Sequence, residues 1–172
     1  LIHDGCGVRP RRGRTPVSGT DESEGPDMTA VSPDLARRAE DLMYAYASAV
    51  DEGDLDALRA LITDDVSIIQ NGKEDVGPEE FLGVYRAFAE SGAEFSRHAI
   101  TNVRVTGEGD GRVRVDAYFE ATVAGPEGTQ RLYGRYADTF AERDGALLIE
   151  RKDITVDRVL DQPASAAAYA PY

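Results

Sequence analysis

Apolar residues along the chain recur first every three or four positions and later every second position, and the switch falls near residue 95. Ser32-Pro33 supplies a helix N-cap with proline in the first turn. Leu35, Ala39, Leu42, Met43, Tyr46 and Val50 then advance in helical steps, predicting a long amphipathic helix that ends near Glu52-Gly53. Asp54 can cap a second helix carrying Leu55, Leu58, Leu61 and Ile62, closed by the acidic Thr63-Asp64-Asp65. Residues 66–70 read as a short strand and Asn71-Gly72 as a turn. Gly77-Pro78-Glu79-Glu80 opens a third helix with Phe81, Leu82, Tyr85 and Phe88 on its buried side, closed by Ser91-Gly92.

From Phe95 onward the period is two. Strands are expected at 95–106, 112–124, 129–142 and 146–158, and the short turns at 107–111, 125–128 and 143–145 make them antiparallel hairpins. In the second of these, Val113, Val115, Ala117, Phe119, Ala121 and Val123 alternate with Arg112, Arg114, Asp116, Tyr118, Glu120 and Thr122. One face of the sheet therefore meets apolar material and the other meets water. The glycines at 107, 109 and 111 lie between two strands with no helix behind them, so a hairpin turn is a better reading than a phosphate loop. A one-sided sheet must be covered, and three amphipathic helices are available to cover it. The expected fold is an α+β cone: a strongly curved antiparallel sheet wrapped around three N-terminal helices, with a deep pocket at its open end.

The two ends lack this patterning. Residues 1–31 are rich in Gly, Pro, Ser and both charges and are expected to be disordered; residues 160–172 are expected to form a flexible tail. The folded domain is therefore drawn at 32–159. RPRRGR (9–14) has the look of an export signal, but no apolar stretch follows it. The first methionine is Met28, so the expectation is either an alternative start codon before it or a natural start at that residue.

Composition narrows the possible chemistry. A chain of 172 residues is one domain's length, and a formal charge of -13 argues against any general grip on nucleic acid or an anionic membrane. With no run near ~18 apolar residues, a soluble, cytoplasmic protein is expected. The single cysteine, Cys6, cannot form an internal disulfide, and two histidines, His3 and His98, are too few for a protein-built zinc or iron site. No metal and no cofactor are expected.

Polar residues that interrupt the apolar faces are the remaining candidates. Asp51, beside Glu52, follows Val50 at the end of the first helix, where the negative end of the helix dipole disfavours a carboxylate. It is either a solvent-facing acid or one held by a partner. His98 shares parity with Ile100 and Asn102, whereas Val103 and Val105 have the opposite parity, so a bulge is expected near Thr101. Tyr136 and Asp138 share parity with Leu132, Gly134 and Phe140, and an inward-facing Asp138 would need a partner. Tyr46 lies on the buried stripe of the first helix, five residues before Asp51, and is a better pocket candidate than Tyr44.

The order of elements, together with YAYASAVDEGDLDALRALITDDVSI (44–68), SRHAITNVRV (96–105), GRYADTFAERDG (134–145) and IERKDITVDRV (149–159), resembles the SnoaL-like branch of the nuclear transport factor 2-like superfamily over residues 33–159. Relatives there include polyketide cyclases, scytalone dehydratase, ketosteroid isomerase and limonene epoxide hydrolase. The resemblance implies that Asp51 and His98 occupy the positions of an acid/base dyad, and that Tyr136 stands near a polar pocket position. The second histidine of the scytalone pocket is missing, with Tyr118 or Phe119 near its place, which counts against the same dehydration. Tyr46, Asn102, Phe119, Tyr136 and Asp138 make up the expected substrate-binding set.

The activity so implied is a cofactor-independent lyase, isomerase or cyclase on a largely apolar, oxygenated small molecule such as a polyketide. Histidine suits this chemistry because it titrates near pH ~6.5 when unperturbed and a carboxylate on one ring nitrogen fixes its tautomer, leaving the other free to move a proton. A tyrosine such as Tyr136 or Tyr46 could hydrogen-bond a developing oxyanion. One alternative is a non-catalytic ligand-binding or subunit-pairing cone. Another is an epoxide hydrolase built on Arg114-Val115-Asp116, a pair that parity puts opposite Val113 and Val115. The water-facing side of the sheet, with Tyr118 and Tyr133 among charges, suits a homodimer contact.

Overall fold

The computed structural model describes residues 30–164. The expectations for residues 1–29, including His3, Cys6 and Met28, and for the tail beyond Ala164 lie outside the described residues. Helix α1 (Pro33–Glu52) begins where Ser32 accepts a hydrogen bond from the Leu35 N–H at 3.1 Å. It stops at Gly53, whose φ of 67° lets its N–H turn back onto the Ala49 and Val50 carbonyls. Asp54 caps α2 (Leu55–Ala60) through the Ala57 N–H at 2.8 Å, and α3 (Pro78–Ala89) buries Phe81, Leu82 and Tyr85.

Six strands follow the order β2-β1-β6-β5-β4-β3 in one open sheet: β1 (Ile62–Gln70), β2 (Lys73–Val76), β3 (Phe95–Gly109), β4 (Arg112–Gly125), β5 (Gly128–Arg143) and β6 (Ala146–Pro163). The three helices and the one-sided sheet give the expected α+β fold, with alternate residues of β4 (Val113, Val115, Ala117, Phe119, Ala121) in the core. Asn71-Gly72, Asp110-Gly111 and Asp144-Gly145 all have positive φ at both residues, the backbone that two-residue hairpin turns require.

Four details differ from the sequence reading. β1 starts at Ile62, not 66, because Ile62 pairs with Ile149 and the Ile149 N–H bonds the Leu61 carbonyl at 2.8 Å, ending the second helix early. The β1–β6 pairing is parallel, so the sheet is mixed rather than wholly antiparallel. β2 has no apolar alternation to announce it: it is a charged, largely exposed edge strand. Finally, β6 runs past 159 to Pro163, since 160–163 continue the ladder with Gly128–Arg131.

A close approach on the floor of the cone fixes one aromatic wall. Phe119 on β4 faces Gly134 on β5 and stacks on Tyr136 with ring centroids 4.5 Å apart. A Cβ on Gly134 would meet the Thr155 carbonyl oxygen at 2.3 Å and the Phe119 ring at 2.5 Å. Gly134→Ala is therefore expected to cost about 1–3 kcal/mol by overpacking and to push Phe119 off Tyr136, read as a lowered Tm and a changed near-ultraviolet circular dichroism signal.

Candidate active site

The last turn of α1 lies against the first residues of β3, and this brings Asp51 to His98 across 47 positions of sequence. Asp51 Oδ1 accepts from the Ser96 hydroxyl at 2.8 Å and meets His98 Nδ1 at 2.7 Å, while Oδ2 accepts the His98 backbone N–H at 2.8 Å. These three donors hold a carboxylate at a helix C-terminus that the dipole alone would disfavour. Burial by itself would push the Asp51 carboxyl up, but the bonds from the His98 ring, the His98 N–H and Ser96 outweigh it and hold the carboxyl below its ordinary value. Asp51 thus stays an anion, so Nδ1 is the ring nitrogen that donates to it, and in the neutral ring that tautomer leaves the lone pair on Nε2.

This interaction also sets a pH dependence. The folded Asp51 binds its proton more weakly than the unfolded one, so its stabilising contribution is whole above pH ~4 and is lost as pH falls through the lower folded value. Urea unfolding of wild type and Asp51→Asn should differ most on the neutral side and converge as the pH drops below about 4. A gap independent of pH would contradict the three-donor arrangement.

His98 lines a cavity of about 180 Å³ together with Tyr46, Tyr85, Phe88, Phe119, Tyr136 and Gln70, and otherwise with the aliphatic side chains of Val84, Leu132, Ile154 and their neighbours. The His98 ring lies tilted over Phe119 at 6.3 Å, and side-chain exposure is 11% for His98 and 6% for Asp51. The Tyr46 and Tyr85 hydroxyls share a hydrogen bond of 2.8 Å. Burial pushes all three tyrosines up, so they remain neutral hydrogen-bond donors.

Behind the tyrosines lies a charged pair. Lys152 and Asp138 are both fully buried, with Nζ and Oδ2 2.7 Å apart. The Lys152 Nζ sits 3.4 Å from the Tyr136 ring centre and 4.0 Å from that of Tyr46. Burial pushes Lys152 down and Asp138 up, and their mutual attraction opposes both shifts.

Of the residues singled out in the sequence, Tyr46, His98, Phe119 and Tyr136 surround the cavity, with Asp51 held against His98. Asp138 does not: one oxygen takes Lys152 and the other takes the Asp153 N–H at 3.0 Å, so nothing is left for a ligand. Asn102 is also misplaced. The expected irregularity is present between Thr101 and Arg104, but Asn102 is its left-handed residue, at φ 55°, and it is exposed on the outer sheet face. Parity with His98 therefore fails at Asn102, because the bulge turns it outward. Arg114 and Asp116 bind each other at 2.8 Å in the same outer cleft, away from the cavity, which removes the basis of the epoxide hydrolase reading.

Four polar contributors were missed, and Gln70 at the end of β1 is the one with no inward signal in the sequence. Ser96 shares parity with His98, Tyr85 sits on the buried stripe of α3, and Lys152 matches Ile154 and Val156, so each carried a signal of inward direction. Among the described residues no three His, Cys, Asp or Glu side chains converge as metal ligands would.

A helix-filled cone with a carboxylate–imidazole pair on the wall of its cavity has the fold of the nuclear transport factor 2-like superfamily. Residues 35–153 match the SnoaL-like domain, and the chain belongs to that family. No curated protein matches the chain in sequence. Solved structures share the fold: a Novosphingobium aromaticivorans protein named after scytalone dehydratase superposes with a TM-score of 0.69 at 19% identity, covering 78% of this chain and 91% of the other. The hexachlorocyclohexane dehydrochlorinase LinA-type3 from Novosphingobium barchaimii gives 0.67 at 18% identity, covering 81% and 99%. The Mycobacterium tuberculosis protein Rv3472, of unknown function, gives 0.67 at 19%, covering 74% and 79%.

Proposed function

We propose that the chain is a cofactor-independent acid/base enzyme acting on a small, apolar, oxygenated molecule. The observation that carries this reading is the 2.7 Å contact of His98 Nδ1 with Asp51, in a ring whose other nitrogen has no share in that contact and whose edge lines an apolar cavity. Nε2 takes a proton from carbon next to a carbonyl, and the C–H electron pair moves into an enolate whose oxygen accepts a hydrogen bond from a tyrosine hydroxyl. From the enolate, loss of a β-substituent with the proton returned by His98 is an elimination, and return of the proton at another carbon is an isomerisation. Attack of the enolate on a second carbonyl is a cyclisation. Two of the fold relatives are named for eliminations, a dehydrochlorinase and a dehydratase, which supports elimination among these outcomes. Hexachlorocyclohexane, however, has no carbonyl and would lose its proton beside a C–Cl bond rather than through an enolate.

The common step can be tested without knowing the natural substrate. In D₂O, the protein is expected to speed exchange of the α-hydrogens of a bound cyclic ketone, followed by proton NMR. Absence of exchange for ketones that demonstrably bind would sink the proposal. A second copy on the outer sheet face belongs to the same reading: Tyr118, 54% exposed, stands there between the Arg114–Asp116 and Arg135–Asp157 pairs.

A further inference from the structure

We infer that the cavity takes a neutral compound built on one ring, and rejects both fused rings and carboxylates. The inference deepens the acid/base reading and rests on it for the placing of the reactive carbon, whereas the size and charge limits stand on the cavity alone.

Size is the first limit. At about 180 Å³ the space is close to the ~150 Å³ in which an engineered apolar cavity holds benzene. One six-membered ring with one or two substituents fills it. A second fused ring needs a wall to move, and the floor cannot: Phe119 is stacked on Tyr136 and pressed against the Gly134 backbone. Phe88 is the wall that separates this cavity from a cleft of about 160 Å³ bordered by Asp51, Gly53 and Phe95. A polycyclic polyketide is therefore too large, and a monocyclic oxygenated compound takes its place in the reading.

Charge is the second limit. Among the described residues the one buried cation near the cavity, Lys152, is already matched by Asp138 and faces the rings of Tyr46 and Tyr136, so it is not free to pair with a substrate carboxylate. The Asp51 anion behind His98 and the overall charge of -13 repel it further. A substrate ammonium fares no better, because both Asp51 oxygens are occupied by donors. What the wall offers is an imidazole, tyrosine hydroxyls and the Gln70 amide, all neutral partners for a ring carbonyl or hydroxyl.

Isothermal titration with four probes tests the inference. 2-Cyclohexenone and phenol should bind saturably to wild type, with 2-naphthol and benzoate weaker by about tenfold or more. Phe88→Ala, shown folded by circular dichroism, should join the two spaces and raise the affinity for 2-naphthol to at least that for phenol. The inference is overturned if wild type binds 2-naphthol or benzoate as tightly as phenol, or if neither single-ring probe binds. Failure of the acid/base reading is a separate result: the probe ranking holds while the ketone-exchange assay stays blank.

Discussion

Replacing His98 with alanine is expected to lower ketone α-exchange by about 10² to 10⁴-fold, the range a positioned general base contributes, while the protein stays folded. The structure separates the two effects. Alanine removes the ring but keeps the backbone N–H that bonds Asp51 Oδ2, and Ser96 still donates to Oδ1, so the carboxylate keeps two of its donors. The loss should therefore fall on turnover, with little change in Tm. Asp51→Asn should act through the same ring: an amide cannot hold Nδ1–H as a carboxylate does, so the free nitrogen is no longer fixed as the acceptor. The two single variants and the double variant are expected to lose similar amounts, because either change disables one unit. Exchange unchanged in His98→Ala, with ligand binding retained, would instead make the chain a binding module.

The second large effect concerns stability. Lys152→Met leaves the fully buried Asp138 carboxyl without its partner, a change expected to cost about 3–5 kcal/mol. For a chain of this length that is roughly 6–20 °C in Tm. Lys152→Met with Asp138→Leu removes both charges and should recover most of the loss, since a buried pair stabilises little against apolar side chains of similar volume. The Lys152 ammonium also lies over the Tyr46 and Tyr136 rings, so the single variant is expected to loosen the cavity wall as well. Equal Tm values for the single and double variants would show that the pair is not the source of the cost. Thermal denaturation of wild type, Lys152→Met, Asp138→Leu and the double variant completes the cycle.

Much of the molecule is legible in the sequence because the signals are local. The period of three to four sets the buried stripe of α1, including Tyr46, and the cap residues Ser32, Gly53 and Asp54 mark where helices begin and end. The period of two in β4 and β5 sets which side chains point inward, Phe119, Tyr136 and Asp138 among them. Direction, however, is all that periodicity encodes. It pairs Asn102 with His98 by parity and signals a bulge near Thr101, but not that Asn102 is the residue the bulge between Thr101 and Arg104 turns outward. It gave no sign of β2, whose exposed charged residues are held by edge pairing to β1 and by the Glu74–Arg151 ion pair.

Partners are decided elsewhere. Asp51 meets His98 because α1 lies across the start of β3, and a carboxylate disfavoured at the helix end is retained there only because three donors converge on it. Asp138 meets Lys152 because β5 and β6 slip register between Thr139 and Phe140. The sequence by itself determined the helices, the long strands and most of their faces, and its family resemblance pointed to Asp51 and His98, on which the proposed chemistry rests. The tertiary structure alone decided which inward polar groups neutralise one another and which stay open to a ligand, because that depends on register and curvature between segments far apart in the chain.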